Sequence, residues 1–477
     1  MGKCGEGAER GLRFGAMGRD TYRRRRGGVY RGLSLVVLAG CLGGMGTPAA
    51  LGREVHRIPS VVGRPVRAGG RVAGGGDARF CPLRFSKPRI YGVAGGVSNI
   101  AVADLGNGHP DIVVTNTTGG PLNEGVQVFY GTGDGRIGPI RSYRVRGGPE
   151  GLAVADLGNG HPDIVVTQPN KNAVSVLYGV GGGRIGKIRS YPVGRGPDQV
   201  VVADLGNGHP DIVVVNTHTV SVLYGVGGGR IRPIRSYRVG NLPFYLAVAD
   251  LGNGHPDIVV TRPGKVGKGG FEVEGGVVSV LYGVGAGRIG PIRSYRVGKA
   301  PPSLAVADLG NGHPDIVTAV AHAVSVLYGV GGGHFAPPVF YPVPGGRWLI
   351  SMKVADLGNG HPDIVMGLGS PKVYQKARVA VGVLYGIGGG RFAPLVLYPA
   401  GKEERWNEEG MYPMVVADLG NGHPDIIGVQ RFQETMNVLY GEGEERRCTG
   451  HPLPGVRKGS GPAGSITMWS GSAAVRP

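Results

Sequence analysis

The sequence is short of acid, with 33 Asp and Glu against 52 Lys and Arg, and the resulting formal charge is +19. It has no recognition-helix pattern, zinc knuckle or aromatic RNA-binding motif to give that charge a nucleic-acid use, so nucleic acid is not an expected partner. Ten units of the excess lie in residues 1–80, which hold fifteen Lys and Arg against five Asp and Glu, and the remainder is only mildly basic. Aromatic residues are few, at 7%, and cysteines number four. A catalytic signature is missing as well. Glu404, Glu408 and Glu409 supply carboxylates, but no motif fixes the paired geometry that a polysaccharide hydrolase or lyase needs. That enzyme is the alternative to a binding protein, and a structural surface spacer is the third reading.

Glycine and proline are abundant, at 94 and 36 residues, yet 41% of the chain is hydrophobic, which excludes a collagen-like or simply disordered chain. The glycines must therefore punctuate short apolar strands. At the N-terminus, Arg23-Arg24-Arg25-Arg26 and Arg31 precede Leu33-Ser-Leu-Val-Val-Leu-Ala-Gly-Cys41, a basic region leading into an apolar one. This reads as an export signal over residues 1–50. The apolar stretch is less than half the roughly 20 residues of a permanent helical anchor. Leu38-Ala-Gly-Cys41 is similar to a bacterial lipobox, with Cys41 as the lipidated residue, and Thr47-Pro-Ala-Ala50 offers a competing cleavage site. The expected location is a plasma- or outer-membrane lipoprotein, or a periplasmic or secreted protein; an unprocessed basic tail on a cytosolic protein is the alternative. Residues 51–80 read as a flexible linker and 449–477 as a disordered tail.

The octapeptide Asp-Leu-Gly-Asn-Gly-His-Pro-Asp occurs seven times, beginning at Asp104, Asp156, Asp204, Asp250, Asp308, Asp356 and Asp418. Successive copies are 46 to 62 residues apart, the length of a four-stranded propeller blade. Around each copy the pattern predicts four strands: two almost wholly apolar, a third of the type Val-Ser-Val-Leu-Tyr-Gly, and a fourth alternating Arg with Ile, Tyr and Val. The expected fold is all-β, a seven-bladed β-propeller of four-stranded antiparallel blades over residues 81–448. The last repeat lacks a fourth strand. Arg84-Phe-Ser-Lys-Pro-Arg-Ile-Tyr-Gly-Val93 has the missing pattern, which predicts that the N-terminal strand closes blade seven. Cys81 and Cys448 flank that seam, and a disulfide between them is expected, worth on the order of 5 kcal/mol in the chain-entropy model. Two unrelated surface thiols are the alternative.

The order Leu-Ala-Val-Ala-Asp, glycine loop, Pro-Asp-Ile-Val-Val, Val-Ser-Val-Leu-Tyr-Gly, with Gly-Gly-Gly-His-Phe-Ala-Pro-Pro-Val-Phe-Tyr-Pro-Val343, resembles bacterial FG-GAP/VCBS repeats, relatives of the integrin alpha-chain propeller. The resemblance covers residues 84–441. It implies seven blades, calcium in the loop between the first two strands, and an extracellular adhesive or ligand-binding role. Carried over residue by residue, the ligands would be Asp104, Asn107, His109 (by its carbonyl) and Asp111, with the same set at Asp156, Asn159, His161, Asp163; Asp204, Asn207, His209, Asp211; Asp250, Asn253, His255, Asp257; Asp308, Asn311, His313, Asp315; Asp356, Asn359, His361, Asp363; and Asp418, Asn421, His423, Asp425. Each loop is one residue shorter than the family's and has Asn where a central Asp stands, so two carboxylates per loop imply weak calcium sites. The alternative is a plain tight turn, in which Asn-Gly favours positive φ and Asp accepts nearby amides. A zinc role for the histidines is poor, since each loop holds one.

Loops joining strands two and three, and those joining blades, leave the opposite face and alone vary in length. They carry the ligand-binding candidates Phe244, Tyr245, Trp348, Tyr374, Trp406 and Tyr412, suited to stacking on a glycan or gripping a protein, unless they are buried as plugs between blades. The expectation is a monomeric, non-catalytic binding or adhesion module, reaching a membrane only through a lipid anchor.

Overall fold

The computed structural model describes residues 82–117, 124–263, 265–266, 273–299, 301–369, 377–404, 411–430 and 434–443. Cys41, Cys81, Cys448, Tyr374, Trp406, Glu408 and Glu409, together with the proposed signal, linker and tail, lie outside them.

Each octapeptide sits between two strands whose residues are apolar on both faces, as strands covered from two sides must be. In blade 3, Val200–Ala203 pairs antiparallel with Asp211–Val215, which pairs with Thr219–Leu223, which pairs with Arg235–Arg238. The same four-stranded order is repeated in blades 1, 2, 4, 5 and 6. Blade 7 consists of Met414–Ala417, Asp425–Gln430 and Thr435–Leu439 with Arg89–Gly92 as its outer strand, in the register Arg89↔Val438 to Gly92↔Thr435. The insertion in blade 4 forms a small hairpin of its own, Lys265–Val266 against Val273–Glu274.

Among the described residues the buried apolar side chains fall into seven clusters, each built mainly from two neighbouring blades; the cluster between blades 4 and 5 also takes in Tyr412 of blade 7. Between blades 1 and 2, for example, Ala101, Val113 and Val128 meet Leu152, Ile164 and Leu177. Between blades 7 and 1, Val415, Ile427 and Val438 meet Ile100, Ile112 and Phe129. A blade alone would leave both faces wet, so burial stabilises the sheets only in the stack.

One first-strand register position faces the following blade throughout. It is filled by Ala101, Ala153, Val201, Ala247, Ala305 and Val415 in six blades, and by Lys353 in blade 6. Lys353 is nevertheless only 8% exposed. Burial pulls its ammonium down to a pKa of about 7.

Candidate functional site

Both glycines of the octapeptide take positive φ, +95° at Gly106 and +89° at Gly108, which bends the backbone so that successive N–H groups point inward. One oxygen of Asp104 accepts three of them, from Gly106, Asn107 and Gly108, at 2.7, 2.9 and 3.0 Å. Asn107 accepts from the His109 amide through its Oδ1 and donates from Nδ2 to Asp111 at 2.8 Å. Asp111 is fully buried, and its two oxygens accept from the amides of Leu105 and Gly131 as well. The Asn-to-Asp contact and the two amides on the inner Asp recur in all seven blades.

Burial raises the pKa of each inner Asp and outweighs the amides that oppose it; for Asp363 and Asp425 the pKa reaches about 6.

In this conformation the loop's polar groups bond to one another. A calcium ion needs six to eight oxygens converging on one point. Here the oxygens of the inner carboxylate are occupied by N–H donors, and the amide of Asn107 points its hydrogens at Asp111. Among the described residues no three His, Cys, Asp or Glu side chains are grouped as metal ligands. The histidines are exposed, each with its ring beside the glycine turn of its own blade; a Cβ on Gly133 would stand 3.3 Å from His109.

What the loop does is hold the next blade. The carbonyl of Leu105 accepts from Gly183 in the glycine turn of blade 2, and Leu157, Leu205, Leu251 and Leu309 repeat the contact onto Gly229, Gly287, Gly333 and Gly390. A tyrosine at the end of the third strand adds a second bond. Tyr178 donates to Gly229, Tyr224 to Gly287, Tyr282 to Gly333 and, across the 7–1 interface, Tyr440 to Gly135. At the 6–7 interface Leu83 accepts from Tyr398 and donates to Tyr385. Sequence inspection missed this role because the partner of each loop lies in the next blade.

The aromatic candidates on the opposite face divide by depth. Tyr245 and Tyr412 are 2% and 1% exposed and share one cluster although they come from blades 4 and 7; Phe244 packs on the same cluster. Tyr245 and Tyr412 thus take the buried alternative, and Phe244 is half-buried. Trp348 does present one, at 52% exposure. Its ring lies 4.5 Å from that of His322, tilted by 49°, and His322 Nδ1 bonds to the carbonyl of Arg347 at 2.9 Å. The backbone beneath is pinned on both sides, by Leu349 N–H to Ala321 and by Gly369 N–H to Trp348.

No protein-family model matches the chain, and no curated protein does. Among solved structures it is similar to virginiamycin B lyase from Staphylococcus aureus, at 12% identity over 75% of this chain and 99% of that one, with a TM-score of 0.50. BBS1N, solved in complex with ARL6DN, is similar at 11% identity over 77% and 99%, TM-score 0.50. YCF48 bound to D1 peptide is similar at 9% identity over 77% and 99%, TM-score 0.44. At such identities the similarity concerns architecture alone. The chain is a seven-bladed β-propeller.

Proposed function

We propose that this propeller is a non-catalytic, extracytoplasmic binding module that takes a glycan or protein ligand on the face where the blade junctions emerge. The supporting observation is Trp348: a large aromatic surface held outward, backed by the His322 ring and fixed by backbone bonds to two elements. A ligand ring or apolar side chain stacked there loses water without the protein having to order the platform first. The octapeptide face is committed to holding the ring, which leaves the junction face for recognition.

Screening the full chain on glycan and peptide arrays, then measuring the best ligand against Trp348→Ala, tests the reading. The expected result is a loss of about tenfold or more in affinity, the scale of an aromatic hot spot. Unchanged binding by the variant would remove Trp348 from the site, and conversion of the bound glycan to products would replace the module with an enzyme.

A further inference from the structure

On the outer strands, one register position carries an exposed arginine in five consecutive blades. Arg89, Arg141, Arg189, Arg235 and Arg293 stand opposite Val438, Val128, Val176, Val222 and Val280 of the third strands. Blades 5 and 6 have Val339 and Val396 there instead. None of the five outer strands contains an acidic residue, and neither do the third strands beneath them. Four of the guanidinium groups lie over tyrosine rings, Arg89 on Tyr440 at 5.1 Å and Arg141, Arg235 and Arg293 on Tyr130, Tyr224 and Tyr282 at 5.8 to 5.9 Å. Such stacking holds the charge in place, so little freedom is lost when an anion binds.

We propose that the rim of blades 7, 1, 2, 3 and 4 is a track for a flexible, carboxylate-bearing polysaccharide. Seven blades divide a full turn into steps of about 51°, so the five arginines face outward over an arc of about 200°. A flat membrane meets only one or two of them. Duplex nucleic acid, with a persistence length of about 150 bp, is too stiff to follow the arc. A single nucleic-acid strand would bend, but its bases need open aromatic faces to stack on. Here the tyrosine rings are buried (Tyr130, Tyr440) or half-buried (Tyr224, Tyr282) under guanidinium groups, with hydroxyls paired as in Tyr130–Tyr143 and Tyr224–Tyr237. A chain of sugar carboxylates needs neither flatness nor stacking; each carboxylate fits the two-pronged donor geometry of one guanidinium.

Sodium polygalacturonate, oligo-dT and phosphatidylserine vesicles are the probes, titrated against the full chain by calorimetry at low and moderate salt. A rim variant, R141Q/R189Q/R235Q/R293Q, is compared with R184Q/R230Q/R288Q/R391Q, which removes the same charge from the glycine turns. The expected result is polygalacturonate binding that weakens with salt, and that falls about tenfold or more in the rim variant while the turn variant keeps most of it. Replacing the four rim arginines with lysine retains a salt-dependent interaction, and W348A leaves it untouched. Equal weakening in both glutamine variants, tighter binding of oligo-dT or vesicles, or no polygalacturonate binding at low salt overturns the proposal. If the fourfold rim variant does not fold, R141Q and R235Q singly against R184Q decide the matter.

Discussion

Lys353→Met is the most discriminating perturbation of the fold. The residue occupies a place that six other blades fill with Ala or Val, and its ammonium is held at a pKa of about 7 by burial, against 10.5 in the open chain. Between these values the unfolded chain keeps a proton that the folded chain releases, so stability rises with pH across that window. From pH 7 to 9 the gain is about 2 kcal/mol, at 1.36 kcal/mol per unit less the part already titrated at pH 7. Asp363 and Asp425 act in the other direction, but their window lies lower. With folded pKa values of about 6, raised from 3.8, they favour the folded form in acid and lose that contribution as pH rises from about 4 to 6. Tyrosines such as Tyr224 are pushed up by burial, and their effect begins only above the ordinary phenol range near pH 10. The interval from pH 7 to 9 therefore isolates the lysine. Urea midpoints followed by near-ultraviolet circular dichroism should rise over this interval in the wild type and stay level in K353M. A slope shared by both proteins, or a wild-type midpoint that falls as pH rises, would refute the reasoning.

Three further outcomes are expected. Asp211→Ala strips the acceptor from the amides of Leu205 and Gly225 and from Asn207, two of them within the loop and Gly225 just after the third strand, and should cost about 3 kcal/mol or more in chemical denaturation. Thermal midpoints of the full chain should agree between millimolar calcium and chelator, because no oxygen cage awaits the ion; a rise with calcium would mean that the loops rearrange to bind it. Gly179→Ala drives a methyl group into the carbonyl oxygen of Pro162, a backbone atom that cannot step aside, and should leave little folded protein in a solubility and melting assay.

The blades were readable because the octapeptide recurs in phase with two apolar strands, a tyrosine-ended third and an arginine-rich fourth, and such periodic patterns fix strand number and order. The latch was not readable. Gly181-Gly-Gly183 announces a turn, but nothing local says that the turn seats on Leu105 of the preceding blade. The aromatic candidates carried a usable signal in their distance from the octapeptide. Tyr245 and Tyr412 precede Asp250 and Asp418 by five and six residues and are buried, whereas Trp348 precedes Asp356 by eight and is exposed. Lys353 was visible too, once the seven first strands were aligned on their Asp. The hydrogen-bond directions inside the loop depend on how Asn107 orients its amide and are not written in its identity.

The latch also acts as a gauge of angle. Because five of the octapeptides seat on the glycine turn of the following blade, they set the rotation from one sheet to the next, as the pitch of a gear tooth sets the wheel. Increments that each match the others can add up to one full revolution; a copy altered in length would pass its small angular error around the whole circle. The misfit would then surface where Tyr440 must reach Gly135, far from the altered copy. Seven identical octapeptides amid freely varying junctions are what a wheel with no slack in its circumference requires.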